Sequence, residues 1–191
     1  MVARMLVKLF GSVWNLKKLC NDTKNIFFKN IYLQIYSFYQ YENNSSIAWN
    51  STFDGVPCFP HGMKSIFISG DAKIGKNCVI FQQVTIGSNM LLDSKGLGAP
   101  EIGNNCYIGA GAKIIGNIKI GNNVRVGANA VVYKDVSDNC VVLSAKQVII
   151  TKDTPMDNRF YSYHGQWVYF EGSIWVPVVD VEVLSRLEGK E

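Results

Sequence analysis

Between residues 68 and 132, aliphatic side chains fall on a strict six-residue beat in two runs. The first is Ile68, Ile74, Ile80, Ile86; the second is Ile102, Ile108, Ile114, Ile120, Val126, Val132. A helix repeats every ~3.6 residues and a strand every ~2, so neither carries this period. Six of these ten residues are followed by glycine: Gly75, Gly87, Gly103, Gly109, Gly121 and Gly127. A short fixed period with recurring glycine predicts a solenoid of short strands and tight turns. Its aliphatic residues point inward, and glycine or asparagine turns the corners. The beat reaches back through Ile47, Phe53 and Phe59, then slips by three, because Phe59 to Ile68 is nine residues. The slip contains Pro60, His61 and Gly62. The gap of sixteen from Ile86 to Ile102 is rich in glycine and polar residues and predicts a loop, 87–101, projecting from the coil. The beat fades after Val132, and residues 136–152 read as a closing turn.

The ends of the chain have a different character. Met5, Leu6, Leu9, Phe10, Val13, Leu16 and Leu19 recur at helical spacing, and Ile26 to Tyr39 follows as an aromatic-rich stretch. One or two helices are predicted, with a break at Asn21-Asp22-Thr23. Toward the C-terminus, Trp167–Phe170 and Ile174–Val179 read as a β-hairpin turning at Glu171-Gly172, and Val181 to Leu187 as a short strand or helix. The expected organisation is an N-terminal helical cap over 1–45, a repeat domain over 46–152 and a C-terminal cap over 153–191. A solenoid end exposes an apolar core and unpaired strand edges, so caps are what the physics calls for.

Composition narrows the function classes. The chain has 191 residues, 48% hydrophobic and 18% charged, which argues against disorder. A net charge of +4 is mild, the basic residues are scattered, and no nucleic-acid motif is present. No stretch approaches the ~20 apolar residues that span a bilayer, and the start lacks a cleavage signal. A cytoplasmic protein is expected. The basic amphipathic N-terminal helices leave open a peripheral contact with the inner face of a membrane. Five cysteines without a Cys-x-x-Cys pair suit small apolar fillers better than disulfides or zinc. With two histidines, the chain cannot supply the three-histidine metal site of a γ-class carbonic anhydrase, and no metal is expected.

His61–Gly75, with Phe81-Gln-Gln-Val-Thr-Ile-Gly87, resembles the hexapeptide-repeat acyltransferases, and within them the serine acetyltransferase branch. Tyr107–Asn117 and Val126–Asp135 are similar to that family's coenzyme A coils. The resemblance covers about residues 47–150. It implies a mainly β fold, a left-handed parallel β-helix with a short N-terminal helical segment and a C-terminal β-hairpin tail. It also implies acetyl-CoA as co-substrate and a homotrimer with sites between subunits. The chain departs from serine acetyltransferases in several places. Pro60 stands where they carry an aspartate before the active histidine. Residues 88–100 contain no histidine, and Leu143-Ser-Ala-Lys146 replaces their closing Gly-x-Pro-Ala-Lys. A short helical N-terminus with a His-Gly coil is more similar to relatives that O-acetylate bacterial surface polysaccharides, such as the colanic acid acetyltransferase. The expected acceptor is therefore a hydroxyl of a surface glycan or its lipid-linked precursor. Serine O-acetylation in cysteine synthesis is the alternative, and a non-catalytic scaffold the second.

Acetyl transfer from a thioester to a hydroxyl needs a base near neutral pKa, which imidazole provides. The resemblance makes His61 that base; His164, outside the repeat, reads as tail surface. Asp54 is the candidate carboxylate to orient His61, with Asp71 behind it. Of Gln82 and Gln83, either of which can face the site, Gln83 is carried forward. The coenzyme positions implied are Gly87, Ser88, Ala110, Ala128, Tyr133, Lys134 and Lys146. The small alanines admit the pantetheine arm, and the lysines suit nucleotide phosphates.

Overall fold

A computed structural model describes residues 2–91, 96–144 and 148–188. Three helices lead the chain: α1 (Val2–Lys8), α2 (Val13–Asp22) and α3 (Ile26–Glu42). The sequence pattern suggests one break, and the structure has two. The additional break is at Gly11, whose φ of 78° is followed by Ser12 capping α2 through its hydroxyl. Asn25 caps α3 in the same way. The helices close one end of the solenoid. Trp14 stacks on Phe59 at 6.0 Å and meets Phe53 edge-on at 5.0 Å. The Tyr36 hydroxyl donates to the Ile47 carbonyl at 2.9 Å. The buried Lys17 ammonium donates to the carbonyls of Trp49 and Ser51, groups of the first coil.

Five coils follow. The first gives β1 (Ser46–Ile47) and β2 (Thr52–Phe53), and the second β3 (Phe67–Ile68), β4 (Lys73–Ile74) and β5 (Val79–Ile80). The third gives β6 (Thr85–Gly87), β7 (Glu101–Ile102) and β8 (Tyr107–Ile108). The fourth gives β9 (Lys113–Ile115), β10 (Lys119–Ile120) and β11 (Arg125–Val126), and the last β12 (Val131–Val132) and β13 (Cys140–Leu143). They stack in parallel register into three sheets. Sheet A runs β1-β3-β6-β9-β12, sheet B β2-β4-β7-β10 and sheet C β5-β8-β11-β13. β14 (Val148–Thr151) adds antiparallel to β13 and covers that edge. All ten residues of the beat are at most 4% exposed. The position two before each also points inward, which is where Cys78, Cys106, Ala112, Val124 and Ala130 are buried.

Two features differ from the sequence reading. The coil does not stop at Val132: Val136 bridges to Ile120 and Val142 pairs with Val126, so the period shortens once to four residues and resumes. The glycines after the beat residues do not turn the corners. Left-handed backbone falls instead on Asn77, Asn105, Asn123 and Asn139, at φ 54–59°. Three of these form a side-chain ladder, Asn105 to Asn123 at 2.7 Å and Asn123 to Asn139 at 3.0 Å. The glycines serve close coil approach. A Cβ on Gly103 would lie 2.7 Å from the Gly121 carbonyl oxygen.

The tail after the last coil folds into a three-stranded antiparallel sheet, β15 (Tyr161–Tyr163), β16 (Trp167–Glu171) and β17 (Ile174–Pro177), then α4 (Val181–Leu187). The hairpin turns at Gly172-Ser173, with both residues at positive φ. The tail is tied to the solenoid through Asn158, which donates to the Asn105 carbonyl at 2.7 Å and accepts from Arg125 at 2.6 Å. Phe160 meets Phe81 edge-on at 6.1 Å.

Candidate active site

The chain passes from sheet C to sheet A along one edge of the prism. Counting on from the bridge between Cys58 and Val79 places His61 over Gln82 in the next coil. Below them, Gly111 N donates to Gln82 O at 3.0 Å and Asn129 N to Ala110 O at 2.8 Å. His61, Gln82-Gln83, Ala110-Gly111 and Ala128-Asn129 therefore form one column parallel to the solenoid axis. Small side chains at Ala110 and Ala128 leave backbone groups on this edge approachable.

His61 stands at the head of the column, where the three-residue phase slip begins. A turn closed by Gly62 N to Phe59 O at 3.0 Å holds it outward, and its ring is exposed, 5.8 Å from that of Phe81. Of the two glutamines, Gln83 is exposed at the corner (φ 62°), with its carbonyl taking the Lys113 ammonium at 2.7 Å. The buried Oε1 of Gln82 has no hydrogen-bond partner among the described residues. A buried carboxamide oxygen left unbonded next to a candidate base is a position where a donor is wanted.

The carboxylates named from sequence lie elsewhere. Asp54 follows β2, where the chain leaves sheet B, and faces a groove along that sheet with Lys73, Glu101 and Asp135. Asp71 sits at the corner between sheets A and B, accepting from Asn50 at 3.3 Å. Each is separated from His61 by a side of the prism. Sequence proximity misleads here because about six residues carry the chain along a whole side. Glu42, at the end of α3, shares a groove of about 520 Å³ with His61, together with Arg4, Tyr39, Asn43 and Lys64. No repeat-based reading points to Glu42. The only sequence signal is its place where the helical pattern ends and the first coil begins.

The remaining coenzyme candidates line the opposite edge of sheet A. Gly87 ends β6 and Ser88 follows it at the root of the projecting arm, and Tyr133 and Lys134 follow β12, both exposed. Lys146 lies outside the described residues. The arm leaves the coil as a short antiparallel pair, Asn89 and Gly98 bonded both ways at 2.9 Å, and exposes Met90, Leu91 and Leu97. Between the two edges, sheet A presents Phe67, Thr85, Lys113 and Val131. Lys113 bonds Thr85 Oγ1 at 3.2 Å as well as the Gln83 carbonyl. This cation, unnoticed in the sequence, occupies the outward position before Ile114. His164 lies on the tail sheet, its ring 4.7 Å from Trp175 and Nε2 3.2 Å from Ser162 Oγ. Among the described residues no group of three or more His, Cys, Asp or Glu could hold a metal ion. No described helix is long and apolar enough to cross a membrane.

Residues 99–134 match the family bacterial transferase hexapeptide (six repeats). The chain is 45% identical over 83 residues to a serine acetyltransferase of Synechococcus elongatus, covering 44% of this chain and 33% of that protein. It superposes on soybean serine acetyltransferase complexed with serine with a TM-score of 0.60 at 27% identity, over 71% of this chain and 53% of that one. A serine acetyltransferase in complex with CoA gives a TM-score of 0.61 at 23% identity, over 72% and 55%, a likeness that speaks for the fold. The chain thus spans between a third and somewhat over half of these relatives. The repeat segment is similar to hexapeptide-repeat transferases over residues 99–134. The expectation of a polysaccharide acceptor is overturned, because the relatives and structural neighbours are serine acetyltransferases.

Proposed function

We propose that this hexapeptide-repeat chain transfers an acetyl group from acetyl-CoA to the hydroxyl of serine. The observation that carries the reading is the column of His61, Gln82, Ala110 and Ala128 on one edge of the prism. It places an exposed imidazole at the head of a track of small residues. The serine acetyltransferase relatives supply the acceptor.

In this reading the pantetheine arm lies along the edge past Ala128 and Ala110, with the thioester at His61. His61 takes the proton from the serine Oγ–H, and that oxygen bonds to the acetyl carbonyl carbon. The tetrahedral oxyanion then collapses, the C–S bond breaks, and the imidazolium returns its proton to the departing thiolate, leaving O-acetylserine and CoA. Gln82 Oε1 accepts the imidazole N–H and fixes the ring. Tyr133 and Lys134, on the other side of sheet A, meet the nucleotide end, from this copy or a neighbouring one. The left-handed coil, the homotrimer and the cytoplasmic setting belong to the same reading. The exposed apolar arm residues, with Phe67 and Val131 of sheet A, are the surface that subunit contact would cover.

The test is thiol release from acetyl-CoA with serine, using wild type and His61→Ala. A fall in kcat of about 10²–10⁴-fold with acetyl-CoA binding retained is expected when a general base is removed. Undiminished turnover in the variant, or binding of acetyl-CoA without turnover of serine by wild type, refutes the reading.

A further inference from the structure

The chain's net charge and much of its exposed apolar surface are concentrated in the helical cap. Residues 1–45 hold six of the nineteen Lys and Arg but two of the fifteen Asp and Glu, so the net +4 belongs to the cap and the rest of the chain is neutral. Arg4, Lys8, Lys18 and Lys24 are exposed there. In α3 the inward side carries Tyr36, 4% exposed, and buried Gln40. Phe27, Ile31, Phe38 and Tyr41 lie on the opposite side, at steps of four, seven and three that keep to one face of a helix. Phe27 is 66% exposed and Tyr41 82%. The first helix repeats the arrangement: Ala3 and Val7 are buried, while Val2, Met5 and, one residue past the helix, Leu9 are exposed. α1 lies antiparallel beside α3, with Ala3 N reaching Glu42 Oε1 at one end and the rings of Phe10 and Tyr32 meeting at 5.6 Å toward the other.

An exposed apolar stripe along a helix marks a surface that meets another molecule or phase. The cations decide between the occupants. A second copy of the cap would set one +4 surface against another. A helical seam between copies also needs its apolar beat sustained over about three heptads or more, whereas α3 holds only Phe27 to Tyr41, with polar Gln34 at the centre. An anionic bilayer surface suits both properties at once. It takes bulky aromatic and aliphatic side chains at headgroup depth and attracts the lysines beside them. No described helix is long and apolar enough to cross a membrane, so the contact is made from one side. We propose that the outer face of α1 and α3 docks on an anionic lipid surface, with Phe27, Ile31, Phe38 and Tyr41 set among the headgroups and the exposed cations of the cap meeting the lipid charges. The cap closes the first coil, and Ala110 and Ala128 lie on later ones, so docking leaves the acetyl-CoA edge open.

The experiment is cosedimentation of the full chain with vesicles of phosphatidylcholine alone and of phosphatidylcholine with about one-third phosphatidylglycerol, at low and high salt. Wild type is expected to partition onto the anionic vesicles, and less so as salt rises. The double variant Phe27→Ser/Tyr41→Ser should partition about tenfold more weakly or worse at both salts, because two apolar side chains no longer leave water. Lys8→Gln/Lys24→Gln should lose about tenfold or more on anionic vesicles and nothing on neutral ones. All four positions are exposed, so the circular dichroism spectrum and melting temperature should stay close to wild type, which separates lost docking from lost folding. Three results overturn the proposal. One is no partitioning of wild type onto anionic vesicles. Another is partitioning that the Phe27→Ser/Tyr41→Ser pair leaves unchanged, which is charge attraction without docking of this face. The third is a vesicle-free oligomer in sedimentation velocity that the same pair dissociates, with no lipid binding, which gives the face to a second copy. None of these readouts uses turnover, so the acetyl-transfer reading stands or falls separately.

Discussion

Gly103→Ala adds one methyl group to the solenoid at a place where the coils leave no room. The new Cβ would lie 2.7 Å from Gly121 O and 2.8 Å from Gly121 C, both backbone atoms that cannot swing aside. Ordinary contact needs about 3.5 Å, so the coils must part by several tenths of an ångström. The bonds that hold them there are Gly103 N to Ile120 O and Gly75 N to Ile102 O, each 2.8 Å, and stretching by that amount takes them toward the limit of a hydrogen bond. Overpacking costs about 1–3 kcal/mol, and one or two weakened ladder bonds about 1 kcal/mol each, so a loss of roughly 2–5 kcal/mol is expected. The control is Gly172→Ala. Its Cβ meets nothing within 4 Å, but φ is 55°, and the left-handed strain alone is worth about 1 kcal/mol. Equilibrium urea unfolding followed by circular dichroism gives both values. If Gly103→Ala costs no more than Gly172→Ala, close coil approach is not the reason for the glycine column.

Ala128→Trp places a large side chain on an exposed point of the proposed coenzyme edge; the KM for acetyl-CoA should rise about tenfold or more while the melting temperature stays within a few degrees. Gln82→Ala should lower kcat about tenfold and shift its pH profile, and Gln83→Ala should do neither, which steady-state kinetics from pH 5 to 9 will separate. Burial lowers the Lys17 pKa to about 8, while the unfolded chain holds that proton to about 10.4. Between these values the unfolded state binds more protons, so stability should rise with pH, by up to about 3 kcal/mol, and Lys17→Met should flatten the rise in urea midpoints.

The regular part of this fold was legible because a period of six has no competing explanation, and all ten residues on that beat between Ile68 and Val132 are buried. The physical role of the glycines was not. A glycine at a corner and a glycine under a neighbouring coil look alike in sequence, and only the φ values and the 2.7 Å approaches separate them. The last coil escaped notice because a two-residue shortening between Val132 and Val136 breaks the beat without breaking the stack. At the candidate site, His61, Ala110 and Ala128 could be named from the resemblance. Asp54 was put beside His61 by counting residues, whereas three-sided winding puts them at opposite ends of a side. Glu42 and Arg4 belong to helices whose spacing reports only their apolar faces.

The two breaks in the repeat border the same sheet. The slip that carries His61 lies on one edge of sheet A, and the arm that begins at Gly87 lies on the other. A solenoid is a rigid ruler: identical stacked steps fix the separation of groups on an edge but present the same surface at each step. Chemistry needs a step unlike its neighbours, and inserted residues create one at little cost to the ladder, since the strands on either side keep register, Ile47 with Ile68 and Ile86 with Ile114. On the function proposed above, the donor would be measured out along the regular edge, and the acceptor would meet His61 where the coil is broken. On that division, changes among the coils should alter stability or coenzyme affinity, and changes in the slip should alter the choice of acceptor.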